Sequence, residues 1–202
     1  MASNKQKAGA AGAISVAALA IIAALFNVEG GYVDHPSDPG GATKHGITEK
    51  VARMHGYEGA MRALPKGFAQ AVYYQDYIAG PGFDRLIGVS EPVAREAIDS
   101  GVNTGPAHPS RWLQTALNSL NRRQRDYADI AIDGRVGPAT VRAYQSLARL
   151  RGDATACRLV VRLMDAQQGA YYLSLAHGNS RFEDFMVGWA ANRIGNVDLG
   201  RC

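Results

Sequence analysis

The feature that most constrains this chain is an uncharged run of 21 residues near its start, residues 8–28. Lys5 and Lys7 precede the run, and Glu29 follows it. A helix of this length is about 30 Å long, which is enough to cross the hydrocarbon core of a bilayer. The positive-inside rule then places the N-terminus in the cytoplasm and the residues after the run across the membrane.

The run is only weakly hydrophobic, because nine of its residues are alanines and eight are larger apolar residues. Three interpretations therefore stay open. The run is a signal anchor that can later leave the bilayer, a secretory signal cleaved near residues 18–20, or a buried core helix. A core helix would present one apolar stripe, formed by Ile14, Ile21, Leu25 and Val28. We favour the releasable anchor, because weak hydrophobicity gives a physical reason for release.

Composition indicates a globular protein for the rest of the chain. With 202 residues and 47% hydrophobic residues, it can bury a core without a structural metal or a disulfide framework. The two cysteines and five scattered histidines lack the spacing of zinc ligands, so we expect no metal and no cofactor. Cys157 and Cys202 either pair in an oxidising compartment or stay free.

The net charge of +4 is unevenly distributed, since residues 110–162 carry ten arginines against four aspartates. We expect these arginines on solvent-exposed helix faces. No nucleic-acid recognition motif accompanies them, so we expect an anionic polymer of the cell envelope as their partner and no nucleic acid.

Helical patterns dominate after a Gly- and Pro-rich loop over residues 29–47, so the predicted fold class is mostly α. Thr48 is a good N-cap, and Pro92 and Pro138 suit first helical positions. The predicted helices cover residues 48–54, 66–77, 92–102, 111–120, 138–150, 154–176 and 181–194. The Gly- and Pro-rich stretch 101–110 is the predicted boundary, which gives an anchor segment (1–28), a catalytic region (29–109) and a second helical region (110–202).

Glu29 is the leading candidate for chemistry. A carboxyl group at the end of an apolar helix is partly desolvated, which raises its pKa and suits it to act as a general acid. Cleavage of a glycosidic bond needs such an acid and a second polar group, for which Asp38 and Thr43 are candidates. The ordinary alternative for Glu29 is a solvated helix end.

Two strings of residues resemble the signature of glycoside hydrolase family 108: Glu29-Gly30-Gly31-Tyr32, and residues 38–47 with the sequence DPGGATKHGI. Members of this family are N-acetylmuramidases of bacteriophages and prophages, with a lysozyme-like helical fold. Residues 99–105 resemble a turn of the same family. Three further strings, within residues 113–118, 133–140 and 185–193, resemble its second half, which is described as a peptidoglycan-binding domain. The resemblance covers about residues 27–195 and implies hydrolysis of the β-1,4 bond between N-acetylmuramic acid and N-acetylglucosamine.

The resemblance also implies roles for single residues. The family's catalytic glutamate corresponds to Glu29. In phage-type lysozymes an aspartate follows the glutamate after eight intervening residues and a threonine follows after five more. Here Asp38 fits, whereas Thr43 comes one residue early, and Asp34 is an alternative carboxylate or a turn cap.

Three further residues are candidates for substrate binding: Tyr32, His45 and Asn103. Each has an ordinary alternative. Tyr32 could simply cover the core beside the glycines, His45 could bond to loop backbone, and Asn103 could form a turn before Gly105.

The anchor and the muramidase signature together resemble a phage endolysin of the signal-anchor-release type. Such a protein would be a monomer held inactive in the host inner membrane and would become active in the periplasm after release, causing lysis. No cysteine lies in residues 1–28, so control by thiol exchange from the anchor is excluded. The alternatives are a lytic transglycosylase acting on the same bond and a membrane-anchored wall-binding or secretion-accessory protein without activity.

Overall fold

A computed structural model describes residues 31–34 and 41–202 of this chain. They form two compact units, one ending at Lys66 and the other running from Gly67 to Cys202. The predicted anchor (residues 8–28), Glu29 and Asp38 all lie outside the described residues. The division after Lys66 falls inside the predicted catalytic region, and the predicted boundary near residue 110 stays a prediction.

The first unit contains a small antiparallel sheet. Strand β1 (Thr43–Lys44) pairs with β2 (Ile47–Thr48), and Val33 forms a further bridge to Thr43. The sequence predicted an irregular loop over residues 29–47, and this hairpin shows that prediction to be wrong at its C-terminal end. Two-residue strands are too short to show the alternation of side chains by which a strand is identified.

Helix α1 (Glu49–Met54) follows β2 directly and begins where the sequence predicted. The hydroxyl of Thr48 accepts a hydrogen bond from the backbone N–H of Val51 at 3.4 Å and so caps the helix. Arg53 ties the next loop to the helix, because its guanidinium donates to the carbonyls of Tyr57 at 2.6 Å and Gly59 at 2.8 Å. A short 3₁₀-helix (Met61–Ala63) comes next in the chain.

The regular structure described in the second unit is helical. Helix α2 (Lys66–Tyr74) starts at the boundary and continues as a π-helix turn (Gln75–Ala79). The remaining helices are α3 (Asp84–Ile87), α4 (Glu91–Thr104), α5 (Ala107–Leu120), α6 (Pro138–Arg151), α7 (Asp153–Gly178) and α8 (Glu183–Asn192). Short 3₁₀-helices lie at Ser180–Phe182 and Leu199–Arg201. This content confirms the prediction of a mostly α fold.

Helix α7 is the centre of the second unit and contacts α4, α5, α6 and α8. Its buried residues recur every three or four positions, as a helix that packs on several sides requires. They are Ala156, Cys157, Val160, Val161, Met164, Gln168 and Tyr172. Side chains from α4 and α5, such as Ile98 and Leu113, are fully buried as well.

Local signals explain several helix ends. Prolines stand in the first turns of α4 and α6, where a missing N–H costs nothing. Gly152 ends α6 with φ of +82°, a conformation that favours glycine. The predicted boundary stretch, residues 101–110, is mostly helical, because only residues 105 and 106 separate α4 from α5. Pro109 fits within the first turn of α5, where no intrahelical donor is required.

The loop over residues 121–137 carries four of the ten arginines that the sequence placed on helix faces, so that prediction is wrong for Arg122, Arg123, Arg125 and Arg135. Arg122, Arg123 and Gln124 have φ of 52°, 60° and 62°. The buried side chain of Asn121 holds this left-handed turn, accepting from the N–H of Gln124 at 3.0 Å.

Cys157 and Cys202 form a disulfide that closes a sequence separation of 45 residues. The sequence left this pairing open, and the structure places Cys157 on α7 and Cys202 after the last 3₁₀-helix. The bond attaches the chain's last residues to the central helix. Within the described ranges, none of the helices combines the length and the hydropathy that crossing a membrane requires.

Candidate functional site

Thr43 lies where the hairpin of the first unit meets Val33. The N–H of Thr43 donates to the Val33 carbonyl at 2.7 Å, and the Thr43 carbonyl accepts from Val33 N–H at 2.9 Å. On its other side Thr43 pairs with Thr48, so the three side chains share one face of the sheet. Thr43 is half-buried on a backbone fixed from both sides, which suits its hydroxyl to hold a ligand or a water in one position.

His45 and Gly46 form the two-residue turn of the hairpin. Their φ angles are +52° and +73°, and positive φ at both central residues is what a type I′ turn requires. Histidine is among the residues that tolerate this region better than most. The structure thus gives His45 a conformational role in the turn, and its predicted contact with substrate stays a prediction.

Tyr32 contacts polar groups on the other side of the hairpin. Its hydroxyl donates to Asp34 Oδ2 at 2.9 Å, and this bond raises the pKa of the Tyr32 phenol. The guanidinium of Arg62 lies 4.2 Å from the centre of the Tyr32 ring, and the Lys44 amino group donates to the Arg62 carbonyl. Because Lys44 and Thr43 are consecutive in a strand, their side chains lie on opposite faces. The structure therefore does not bring Tyr32 and the Thr43 hydroxyl to one face.

Asn103 lies in the second unit, one residue before the end of α4, and is exposed. Its amide nitrogen donates to the hydroxyl of Tyr172 at 2.5 Å, and Gln168 donates to the same hydroxyl at 3.0 Å. Tyr172 and Gln168 are buried in α7. Among the described residues none donates to the amide oxygen of Asn103.

Asn103 opens onto a cleft of about 450 Å³ beside α8, which the sequence did not predict as a site. Its lining residues are Asn103, Asp184, Phe185, Gly188, Trp189, Asn192 and Arg193. Trp189 stacks on Tyr172 with ring centres 4.5 Å apart and an angle of 18° between the planes. Phe185 is 55% exposed. The available signal was the resemblance of residues 185–193 to the family's second half, which carried no residue roles.

Two acidic side chains, the buried Glu96 of α4 and the half-buried Asp165 of α7, have raised pKa values. Glu96 is 1% exposed, and burial raises its pKa to about 8, helped by the nearby charges of Asp165 and Asp99. Burial also raises the pKa of Asp165, although the N–H of Gly195 donates to it at 2.9 Å. A raised carboxyl pKa is a property of general acids. Glu96 is nevertheless too buried to touch a substrate, so its role here is structural.

The turn before α6 is held by one buried amide. Gln114 Nε2 donates to Asp133 Oδ1 at 2.7 Å and to the carbonyl of Arg135 at 2.9 Å. Gln114 Oε1 accepts from the N–H of Gly134 at 3.0 Å. The bond from Gln114 is the main cause of the lowered pKa of Asp133. The Asp133-Gly134 pair is therefore a turn that a side chain of α5 holds in place. In the part of the chain that the structure describes, no three His, Cys, Asp or Glu side chains gather as metal ligands would.

Comparison with known proteins identifies both halves of the chain. Residues 22–105 match the model of the Glycosyl hydrolase 108 family, and residues 108–194 match a Predicted Peptidoglycan domain. The structure is similar to that of Brucella abortus SagA, with a TM-score of 0.62 and 26% sequence identity over 91% of this chain and 92% of that one. No curated protein matches the chain.

The two matched regions define a glycoside hydrolase that acts on peptidoglycan, of the N-acetylmuramidase type. Both the predicted enzyme class and the predicted lysozyme-like helical fold are thereby confirmed. The chain thus carries a region that matches the Glycosyl hydrolase 108 family, followed directly by one that matches a predicted peptidoglycan domain.

Proposed function

We propose that this protein is a phage endolysin that hydrolyses the β-1,4 bond between N-acetylmuramic acid and N-acetylglucosamine, with Glu29 as the general acid. The observation that carries the proposal is the string over residues 29–47, which lies within the matched hydrolase region. A desolvated glutamate can protonate the leaving oxygen, after which the glycosidic bond breaks. Asp38 and Thr43 are the proposed partners that position the attacking water.

The geometry of Thr43 supports its part in this proposal. Its backbone is hydrogen-bonded to Val33 on one side and paired with Thr48 on the other. The backbone atoms from which the hydroxyl-bearing side chain projects are therefore held in a fixed position. A hydroxyl both donates and accepts, which is what orienting a water molecule for attack requires. Pairing in the sheet sets the position of Thr43. The proposed role of Thr43 is therefore compatible with a spacing from Asp38 that is one residue shorter than in phage-type lysozymes.

We further propose that residues 8–28 hold the enzyme at the host inner membrane before release. An anchored chain would keep Glu29 at the outer lipid interface, where the catalytic cleft cannot assemble. Weak hydrophobicity of the run, rich in alanine, supports escape from the bilayer. Release would deliver the muramidase to the periplasm, where peptidoglycan is accessible and hydrolysis causes lysis.

Mass spectrometry of muropeptides tests the enzymatic part. Purified wild-type protein is expected to release products with reducing N-acetylmuramic acid ends, and Glu29→Gln is expected to release none. Glu58→Gln is the matched control, because it makes the same change at an exposed glutamate of the first unit. Wild-type activity in Glu29→Gln would contradict the proposal. Products ending in 1,6-anhydromuramic acid would identify a lytic transglycosylase instead.

Cell fractionation tests the anchor. The full-length chain is expected in the membrane fraction at unchanged mass, and in the soluble fraction after an uncoupler collapses the membrane potential. A mature form shortened by about 25 residues would indicate a cleaved signal instead. A chain that is soluble from the start would refute anchoring.

A further inference from the structure

The turn between α5 and α6 adopts a backbone conformation that its side chains disfavour. Arg122, Arg123 and Gln124 are consecutive residues with φ of 52°, 60° and 62°. The left-handed region is unfavourable for residues that carry a β-carbon, and proteins normally place single residues there, most often glycine. Such strained backbone persists only where the surrounding structure fixes it, and it is concentrated at functional positions.

Asn121 supplies the bonds that fix this turn. Its buried side chain accepts from the N–H of Gln124 at 3.0 Å and donates to Asp129 Oδ1 at 2.6 Å. The side chains of Arg123 and Arg125 take no part in these bonds. Holding the turn therefore does not require arginine at either position.

Arginines converge on the turn from two parts of the chain. Asp126 Oδ2 accepts from Arg122 Nε at 3.0 Å and from Arg151 Nη2, in the last turn of α6, at 3.0 Å. The Asp126 side chain is only 3% exposed, so two guanidinium groups cover its single negative charge. Arg123 and Arg125 are exposed, and neither has a carboxylate partner among residues 31–34 and 41–202. These four arginines form a surface with excess positive charge, which we call the arginine patch.

An exposed apolar side chain adjoins the arginine patch. Leu150 lies between Arg149 and Arg151 at the C-terminal end of α6 and is 52% exposed. A single exposed leucine is common on protein surfaces. Basic side chains around an apolar one are, however, the composition of surfaces that lie at a membrane interface.

The helix dipole explains only part of this charge. Cations are favourable at a helix C-terminus, which accounts for Arg149 and Arg151 in the last turn of α6. Arg123 and Arg125 lie in the loop and gain nothing from the dipole. They are the residues whose charge the fold itself does not use.

We infer that the arginine patch docks on an anionic phospholipid bilayer, with its guanidinium groups at the lipid phosphates and Leu150 at the boundary of the acyl chains. A guanidinium group donates paired hydrogen bonds to phosphate oxygens. Each basic side chain near an anionic membrane adds to the attraction. This contact belongs to the folded second unit. It goes beyond the proposed function, because it requires neither hydrolysis nor residues 8–28.

Other partners fit the surface less well. A soluble phosphate polymer satisfies the guanidinium groups but offers no apolar partner to Leu150. A neutral glycan offers no negative charge to Arg123 and Arg125. A bilayer with anionic headgroups satisfies both parts, and salt should weaken its attraction for the patch because exposed charges are screened within a Debye length.

A dye attached to the turn reports docking directly. Full-length Gln124→Cys protein, labelled with an environment-sensitive dye, is titrated with vesicles of phosphatidylcholine alone or mixed in equal parts with phosphatidylglycerol. The native cysteines are joined in a disulfide, so the label goes to position 124. Residues 8–28 are present in every variant, so any insertion of that run is common to all titrations. We expect a saturable blue shift with the mixed vesicles that salt reverses, and little response to phosphatidylcholine alone.

Variants in the labelled protein separate the charged and apolar parts of the contact. Arg123→Gln combined with Arg125→Gln should weaken docking about 25-fold, since each arginine near an anionic surface contributes about fivefold. Arg85→Gln combined with Arg181→Gln is the matched control, because it makes the same change in net charge at exposed positions outside the patch. The control should stay within about twofold of the parent protein. Leu150→Gln should weaken docking about fivefold.

Replacing Arg123 by glycine distinguishes a binding role from a structural one. Glycine adopts φ of 60° without strain, so the variant should have a higher Tm than the parent protein. Its docking on the mixed vesicles should nevertheless weaken about fivefold. A structural role for Arg123 predicts the opposite result, a lower Tm with unchanged docking, and that result would contradict the inference.

Two further outcomes would overturn membrane docking. One is an unresponsive dye, or equal affinity of the Arg123→Gln, Arg125→Gln protein and its control for the mixed vesicles. The other is displacement from the vesicles by a soluble glycerol phosphate polymer at equal phosphate concentration, which would assign the patch to a soluble polyanion. Release of muropeptides from purified sacculi is measured on the same variants and should not change, because these residues lie outside the proposed catalytic string over residues 29–47.

Discussion

Replacing Glu96 by glutamine should make the protein more stable at alkaline pH and no less stable at acid pH. Glu96 is 1% exposed, and Ser100 donates to its Oε1 at 2.8 Å. Glutamine keeps that acceptor and the side-chain length. Among the described residues Oε2 of Glu96 has no hydrogen-bond partner, so an amide nitrogen in its place loses no bond.

The magnitude follows from proton linkage. The pKa of Glu96 is about 8 in the folded protein against 4.5 for an unperturbed glutamate. The folded state therefore binds more protons than the unfolded state between these values, and the free energy of unfolding falls as pH rises through this window. A difference of about 3.5 pKa units corresponds to about 5 kcal/mol in full, and to about 3 kcal/mol at neutral pH. Local relaxation or water entry on ionisation would reduce both figures.

Urea denaturation from about pH 5 to about pH 9 measures this effect as the difference between wild type and Glu96→Gln. Titrating groups remote from Glu96 contribute equally to both proteins, so the difference reports position 96 together with its charged neighbours Asp165 and Asp99. We expect it to be within about 1 kcal/mol at the acid end and to grow to several kcal/mol in favour of the variant at the alkaline end. Glu58→Gln, at an exposed position, should show no such divergence. Parallel curves for wild type and Glu96→Gln would refute the assignment of a buried, protonated carboxyl group.

Three further changes test separate features. Replacing Cys157 by serine, or reducing the disulfide, should lower the free energy of unfolding by up to about 4 kcal/mol for a loop of 45 residues, seen as a drop in Tm that reductant causes only in the wild type. Gly82→Ala should cost more than about 2 kcal/mol, because its φ is +87° and a β-carbon would lie 2.1 Å from the carbonyl oxygen of Val136; a wild-type Tm would contradict this. Thr43→Ala should lower kcat about 100-fold on sacculi with little change in KM, whereas Thr43→Ser should retain most activity; equal loss in both would point to packing instead of the hydroxyl.

Helix positions were predictable because their signals are local. Thr48 caps α1 and Gly152 ends α6 through contacts within a few residues, which a sequence displays directly. The hairpin was missed because its strands are two residues long and its bridge to Val33 depends on pairing with a distant segment. The pairing of Cys157 with Cys202 likewise depends on the packing of the whole second unit.

The candidate site was predictable only in part. The string over residues 29–47 led to the correct family through its resemblance, whereas Glu29 and Asp38 keep their roles as predictions. Phe185 and Trp189 lie at helical spacing typical of a core, and only the packing of α8 shows that they remain accessible. The burial of Glu96 also results from tertiary packing. The charged residues beside it in α4 are typical of a solvated helix face, so the sequence gives no sign of this burial.

Gln114 occupies a position that accepts a narrow range of side chains, although no reaction takes place there. Its amide donates to two oxygens and accepts from one N–H in the turn at Asp133, so a substitute must offer both functions at the same length. Glutamate would set a carboxylate against two acceptors, and methionine would remove the partner of the Gly134 N–H and of the Arg135 carbonyl and leave Asp133 Oδ1 with only the N–H of Arg135. In a mutational scan, position 114 should therefore be nearly as intolerant as a catalytic residue, and it would be mistaken for one wherever tolerance alone is used to locate active sites.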